Sequence, residues 1–185
     1  NTAIRYLVQQ AGLPRLNIIS QTSNFAMNGV VGFLMNYADT IPISVDPRYL
    51  ARDFMAVLRE KLVEKRETVL LYPEQEMWFN YRKPRPPKKG AYYYAARLQV
   101  PVLSCFVEIV DTDENESPDF KKVRYVVHVL GLLRPDPAKT HRENAAMLGE
   151  RDYALKKACY EQVYGKPLSY AFDPSDIAGW QGELS

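Results

Sequence analysis

Apolar positions in this chain fall into short runs separated by polar stretches rich in proline and glycine. Asn1–Ala11 has the spacing of a helix end, closed by Gly12 and Pro14. Leu16–Ser20 suits a strand, Gln21–Asn24 a polar loop, and Phe25–Tyr37 a short helix weakened by Asn28 and Gly29. Ile41–Val45 is β-branched and carries Pro42, which predicts a strand near an edge or a sheet entry. Asp46 can cap, Pro47 fits a first helical position, and Leu50, Phe54, Leu58 and Leu62 recur every fourth residue. An amphipathic helix is therefore expected over Arg48–Lys65. Thr68–Tyr72 is a continuous apolar run, the mark of a strand buried on both faces. Strand, helix and strand in that order predict a parallel pair with a right-handed crossover.

The second half begins with a long loop, Pro73–Gly90, holding Pro73, Pro84, Pro86 and Pro87. Loops of that length inside a compact domain are usually functional. A helix over Ala91–Leu98, a buried strand over Val100–Val110, a solvated acidic loop over Asp111–Asp119 and a strand over Val123–Leu133 follow. After Pro135 and Pro137, Thr140 with Glu143 forms a capping box that opens a helix to about Tyr164, stopped by Gly165 and Pro167. Tyr153, Tyr160 and Tyr164 lie along this helix as a packing seam. The pattern predicts one α/β domain over 1–185, with a mixed, mainly parallel sheet, helices on both faces, and Thr68–Tyr72 and Val100–Val110 as central strands. The clear C-terminal elements span 123–164.

Composition adds bounds. The 185 residues are 46% hydrophobic and 25% charged, enough for one sizeable core and unlike a disordered chain. The net charge of +2 does not by itself imply a polyanionic partner. Its distribution says more, because five of the eight residues from Arg82 to Lys89 are cationic, and six of the twelve from Glu108 to Asp119 are acidic. Cys105 and Cys159 stand alone on apolar segments, as small buried hydrophobes do in a reducing compartment. No run is long enough for a membrane span; the longest, Val30–Met35, is broken by Gly32. The chain opens on Asn1 inside a helical pattern, so it reads as part of a longer protein.

The segment Tyr72–Ile109 carries the most specific signal. Tyr72-Pro73-Glu74 ends a strand; Lys88-Lys89-Gly90-Ala91-Tyr92, with Ala95 and Ala96, opens a helix; Val100-Pro101-Val102-Leu103 opens the next strand. These three blocks, in this order and downstream of an amphipathic helix, resemble the lysophospholipid (glycerolipid) acyltransferase family over about 33–109. The resemblance implies a glycerolipid-acyltransferase-like fold and transfer of an acyl group from a thioester donor, acyl-CoA or acyl carrier protein, to a hydroxyl of a lysophospholipid or glycerol phosphate. It implies work in phospholipid biosynthesis at the cytoplasmic face of a membrane, with neither cofactor nor metal. On it, Glu74, Arg82, Lys83, Arg85, Lys88 and Gly90 are the candidate substrate-binding residues.

Departures matter as much. The family's base is a histidine five residues ahead of an aspartate that orients it. His128 and His141 have no aspartate at that spacing, so His128 reads as a sheet residue and His141 as part of a helix's first turn. The base motif is then expected ahead of Asn1, and this chain alone is expected to be inactive. Gln75 stands where the family has glycine, and Met77 where it often has arginine; no arginine follows the strand at Ile43-Ser44-Val45-Asp46 either. Arg82, Lys83 and Arg85 could supply phosphate-binding charge from the loop instead, or the acceptor carries no phosphate.

Glu74 either binds a ligand at the end of a strand or organises its loop by accepting backbone N–H bonds. Trp78, Phe79 and Tyr81 beside the cations suit an anionic membrane surface, or pack beneath the loop. Two rival classes use the same stretch: a single-stranded nucleic-acid site, against which the near-neutral charge speaks, and a proline-motif ligand at Pro84–Lys89. No nucleic-acid partner is expected.

Overall fold

The computed structural model describes residues 2–21, 39–44, 46–76 and 78–182. The helix expected over Phe25–Tyr37, and Val45 and Met77, lie outside the described residues. The chain divides into two compact units, Asn1–Tyr72 and Pro73–Ser185.

In the first unit, helix α1 (Thr2–Gln10) leads to strand β1 (Leu16–Gln21). Strands β2 (Thr40–Ile43) and β3 (Thr68–Leu70) lie parallel to β1 on either side of it, in the order β2-β1-β3. The expected parallel relation of β2 and β3 holds, with β1 between them. Among the described residues Pro42 sits in an edge strand, where its missing N–H leaves no gap in the ladder. Helix α2 joins β2 to β3 through the consecutive pieces Pro47–Tyr49, Leu50–Phe54, Met55–Arg59 and Glu60–Glu64. Asp46 accepts the Arg48 N–H at 2.8 Å, as its capping role predicts. The second and fourth pieces wind as π-helix, and Met55 is buried in the core with Phe54 and Leu58. Leu50 and Leu62 are half-buried, while Arg52 and Arg59 face solvent.

The second unit is a long hairpin with helices against it. Helix α3 (Gly90–Leu98) precedes β4 (Val102–Asn115) and β5 (Lys121–Leu133), which pair antiparallel; α4 (His141–Tyr164) follows. The mixed α/β class and the parallel sheet are as expected, but the central strands are not. Among the described residues β3 is an edge strand paired with β1, and β4 pairs with β5 in a separate two-stranded sheet. The acidic stretch is also not a loop along its whole length. Asp111 to Asn115 continue β4, and Lys121 and Lys122 oppose that carboxylate-rich end, with Lys122 on Glu114 at 2.8 Å. Cross-strand pairs of opposite charge stabilise a hairpin, and a short turn is all an antiparallel pair needs.

One core cluster of this unit centres on Tyr92, Ala145 and Leu148, a second on Phe106, Cys159 and Tyr160. Gly149 lets α4 approach α3, since a Cβ there would lie 3.3 Å from the Tyr92 ring. The capping box is present: the Thr140 hydroxyl accepts the Glu143 N–H at 3.3 Å, and the Glu143 carboxylate accepts the Thr140 N–H at 2.8 Å. Gly165 closes the helix as predicted.

Candidate functional site

The loop from Pro73 to Lys89 is a folded structure rather than a mobile excursion. Its ends meet through the Lys88 N–H and the Pro73 carbonyl at 2.8 Å. Its middle is stitched to the segment after α4. The Ala178 N–H reaches the Asn80 carbonyl at 2.8 Å, the Arg82 N–H reaches the Asp176 carbonyl at 2.9 Å, and Tyr81 bridges Ile177 antiparallel. Gly179 is required here by its φ of +75° and because a Cβ would lie 2.5 Å from the Lys121 carbonyl oxygen.

This stitching decides what the cations do. Arg82 donates to Asp111 at 2.6 Å, to the Ser175 carbonyl at 2.6 Å and to the Ile109 carbonyl at 3.3 Å. Lys83 is buried, ion-paired to Asp176, and donates to the Ala171 carbonyl at 2.8 Å. Arg85 pairs with Glu76 and lies over the Trp78 ring, 3.9 Å from its centre. Five unopposed cations are therefore not what the loop presents. Lys88 and Lys89 are exposed and, among the described residues, have no ion-pair partner. Gly90, at the start of α3, is exposed too.

Glu74, Arg85 and Lys88 converge on one cleft of about 490 Å³, walled by Trp78, Tyr170 and Phe172. Arg82, Lys83 and Gly90 do not line it. The Glu74 carboxyl accepts the Arg85 backbone N–H, as the loop-organising reading requires, yet it also faces the cleft. Burial pushes its pKa above the ordinary carboxylate value, against the lowering pull of Lys156 and of that N–H. A polar group lies deeper in the unit: the Tyr92 hydroxyl donates to Asp152 at 2.5 Å, and Lys156 pairs with Asp152 at 3.0 Å. Burial first, and Asp152 second, raise the Tyr92 phenol so far that it stays a donor.

Tyr170 and Phe172 were not legible as site residues, because they belong to a segment without helix or strand periodicity. Asp152 and Lys156 left a faint mark, an i,i+4 charge pair on the buried side of α4. Neither histidine lines the cleft. His128 pairs with Glu108 on the hairpin at 2.6 Å, and His141 opens α4 with its ring edge-on to Tyr93. Among the described residues no cluster of His, Cys, Asp and Glu could hold a metal ion, and no helix is long and apolar enough to cross a membrane.

Two carboxylates, Glu74 and Glu76, and two cations, Arg85 and Lys88, thus share one aromatic-walled cleft of an α/β protein. The reaction class comes from the comparison with known families. Residues 2–108, more than half of the chain, match the model of the family described as Acyltransferase, and the chain belongs to that family. The match takes in all three sequence blocks and begins well upstream of Phe33. No curated protein and no solved structure matches the chain. Membership makes acyl transfer the reaction class, with an acyl donor and an acceptor as partners.

Proposed function

We propose that this chain is the acceptor-binding part of a glycerolipid-type acyltransferase. It serves transfer of a fatty acyl group from a thioester donor, acyl-CoA or acyl carrier protein, to a hydroxyl of a lysophospholipid or glycerol phosphate. The observation that carries the reading is the convergence of Glu74, Arg85 and Lys88 on one cleft. A carboxylate accepts a bond from an acceptor hydroxyl, and the Lys88 ammonium, beside an Arg85 guanidinium shared with Glu76, answers a phosphate. The work is peripheral, at the cytoplasmic face of a membrane, with exposed Lys88 and Lys89 meeting anionic lipid. Single-stranded nucleic acid is the weaker occupant, because the Arg85 guanidinium already covers a face of Trp78, the ring on which a base would stack.

Glycerol 3-phosphate, titrated against the isotope-labelled chain, tests the reading by NMR. Saturable shifts at Glu74, Arg85 and Lys88, weakened severalfold in Lys88→Gln, are expected. Shifts spread evenly over surface lysines, or none at millimolar ligand, would remove the acceptor role.

A further inference from the structure

The Glu74 cleft has a neighbour that the acceptor reading does not use. A second cleft of about 390 Å³ is lined by Trp78, Phe79, Tyr81, Phe120, Phe172 and Ile177. None of these side chains carries a charge. Three of them, Trp78, Tyr81 and Phe172, also line the first cleft, so the two are continuous. Phe120 comes from the end of the β4–β5 turn, and Phe172 and Ile177 from the segment after α4. All three lie beyond the residues matched by the family.

The apolar walls are held in place but uncovered. Phe79 packs edge-on against Phe120 with ring centres 5.1 Å apart, and Trp78 lies 5.3 Å from Tyr81. Even so, Trp78 is 56% exposed, Phe79 66% and Phe172 65%. Aromatic surface of that extent, kept in water by a rigid framework, marks a binding surface. Charge decides the occupant. Glu74, Glu76, Arg85 and Lys88 stand in one cleft and no charged group stands in the other, so the pair matches a molecule with a charged, hydroxyl-bearing head and a hydrocarbon tail.

We propose that the apolar cleft is an acyl-chain subsite. It takes the first part of the chain of a single lysophospholipid whose head lies in the Glu74–Arg85–Lys88 cleft. This rests on the reading of that cleft as the head site, and the experiment separates the two.

The test uses 1-acylglycerol 3-phosphates of increasing chain length, brominated near the carbonyl and kept below their micellar concentration. Trp78 in a Trp180→Phe background is the reporter, since bromine quenches only at close approach. Quenching should saturate, glycerol 3-phosphate should compete, and each added methylene should tighten binding about fourfold while the cleft fills. Phe79→Ala should flatten that dependence and leave competition by glycerol 3-phosphate unchanged; Phe79 lines only the apolar cleft and is exposed, so the fold should tolerate the change. Competition by glycerol 3-phosphate without chain-length dependence would overturn the chain subsite and keep the head site. Chain-length dependence that Phe79→Ala abolishes, without competition, would keep the subsite and overturn the head site. Quenching seen only with vesicles, a slope indifferent to Phe79→Ala, or no quenching at all would each overturn the subsite.

Discussion

Lys83 and Asp176 form an ion pair with their side chains only 3% and 1% exposed. Asp176 also accepts from Lys166 at 2.8 Å and from the Tyr160 hydroxyl at 3.3 Å. Burial, helped by Asp176, pushes the Tyr160 phenol up to about 12, so it remains a donor at neutral pH. The pair fastens the basic loop to the segment after α4, and that segment supplies the Tyr170 and Phe172 wall of the candidate site. A cation that the sequence offers as a ligand-binding group is thus a structural fastening.

Asp176→Asn should lower stability by about 3–5 kcal/mol, because it leaves the buried Lys83 ammonium uncompensated. Urea unfolding of the variant and of Lys83→Met with Asp176→Leu provides the check. The double variant should recover much of the loss. Equal losses in both would mean that the charges are not what the site answers to.

Gln75 has a φ of +59°, a left-handed conformation, at the position where the family resemblance expects glycine. A side chain there costs about 1–2 kcal/mol, and glycine's extra freedom in the unfolded chain returns part of that. Gln75→Gly should therefore stabilise the chain by roughly 0.5–1 kcal/mol, read as a higher urea midpoint at unchanged slope. A lower midpoint would show that the Gln75 side chain makes a compensating contact.

Glu74 gives a pH signature. Its folded pKa lies above the ordinary 4.5 because of burial. Between 4.5 and that raised value the folded chain holds a proton that the unfolded chain has released. Stability contributed by this group therefore falls as pH rises through the window, and stays level above it. Glu74→Gln should match the parent below the window and exceed its stability above it. Parallel stability curves for the two proteins across the whole range would refute the assignment.

The chain by itself should not transfer acyl groups. No histidine–aspartate base pair of the family's spacing occurs in it, and general-base catalysis is worth about 10²–10⁴-fold. Release of free thiol from an acyl-CoA and lysophospholipid mixture should stay at the rate without protein. A faster, saturable rate would mean that another group serves as base.

Binding to anionic vesicles should depend on Lys88 and Lys89 rather than on the whole basic run. Each exposed lysine near an anionic surface contributes about 1 kcal/mol, so Lys88→Gln with Lys89→Gln should weaken co-sedimentation by roughly tenfold or more. The remaining binding should vary less with salt. Arg82→Gln or Lys83→Gln should act through stability instead. Equal binding of parent and variant to neutral and anionic vesicles would remove the electrostatic part of the membrane role.

The sequence by itself determined the local structure and the reaction class. The four-residue spacing of Leu50, Phe54 and Leu58, the Thr140–Glu143 cap and the Gly165 stop act within a few residues, so they are legible without a fold. The blocks at Tyr72–Glu74, Lys88–Ala96 and Val100–Leu103 pointed to acyl transfer, and the family match extends over them. Strand partnership was a tertiary decision. β4 has the apolar run of a central parallel strand, yet Lys121 and Lys122 across a short turn pair it antiparallel. Only the tertiary structure could decide which cations stay free. The partners of Arg82 and Lys83 lie far along the chain, Asp111 near the end of β4 and Ser175 and Asp176 in the segment after α4, and burial of the two cations makes such partners obligatory. Lys88 and Lys89, with no such partner among the described residues, remain available to a ligand or a surface.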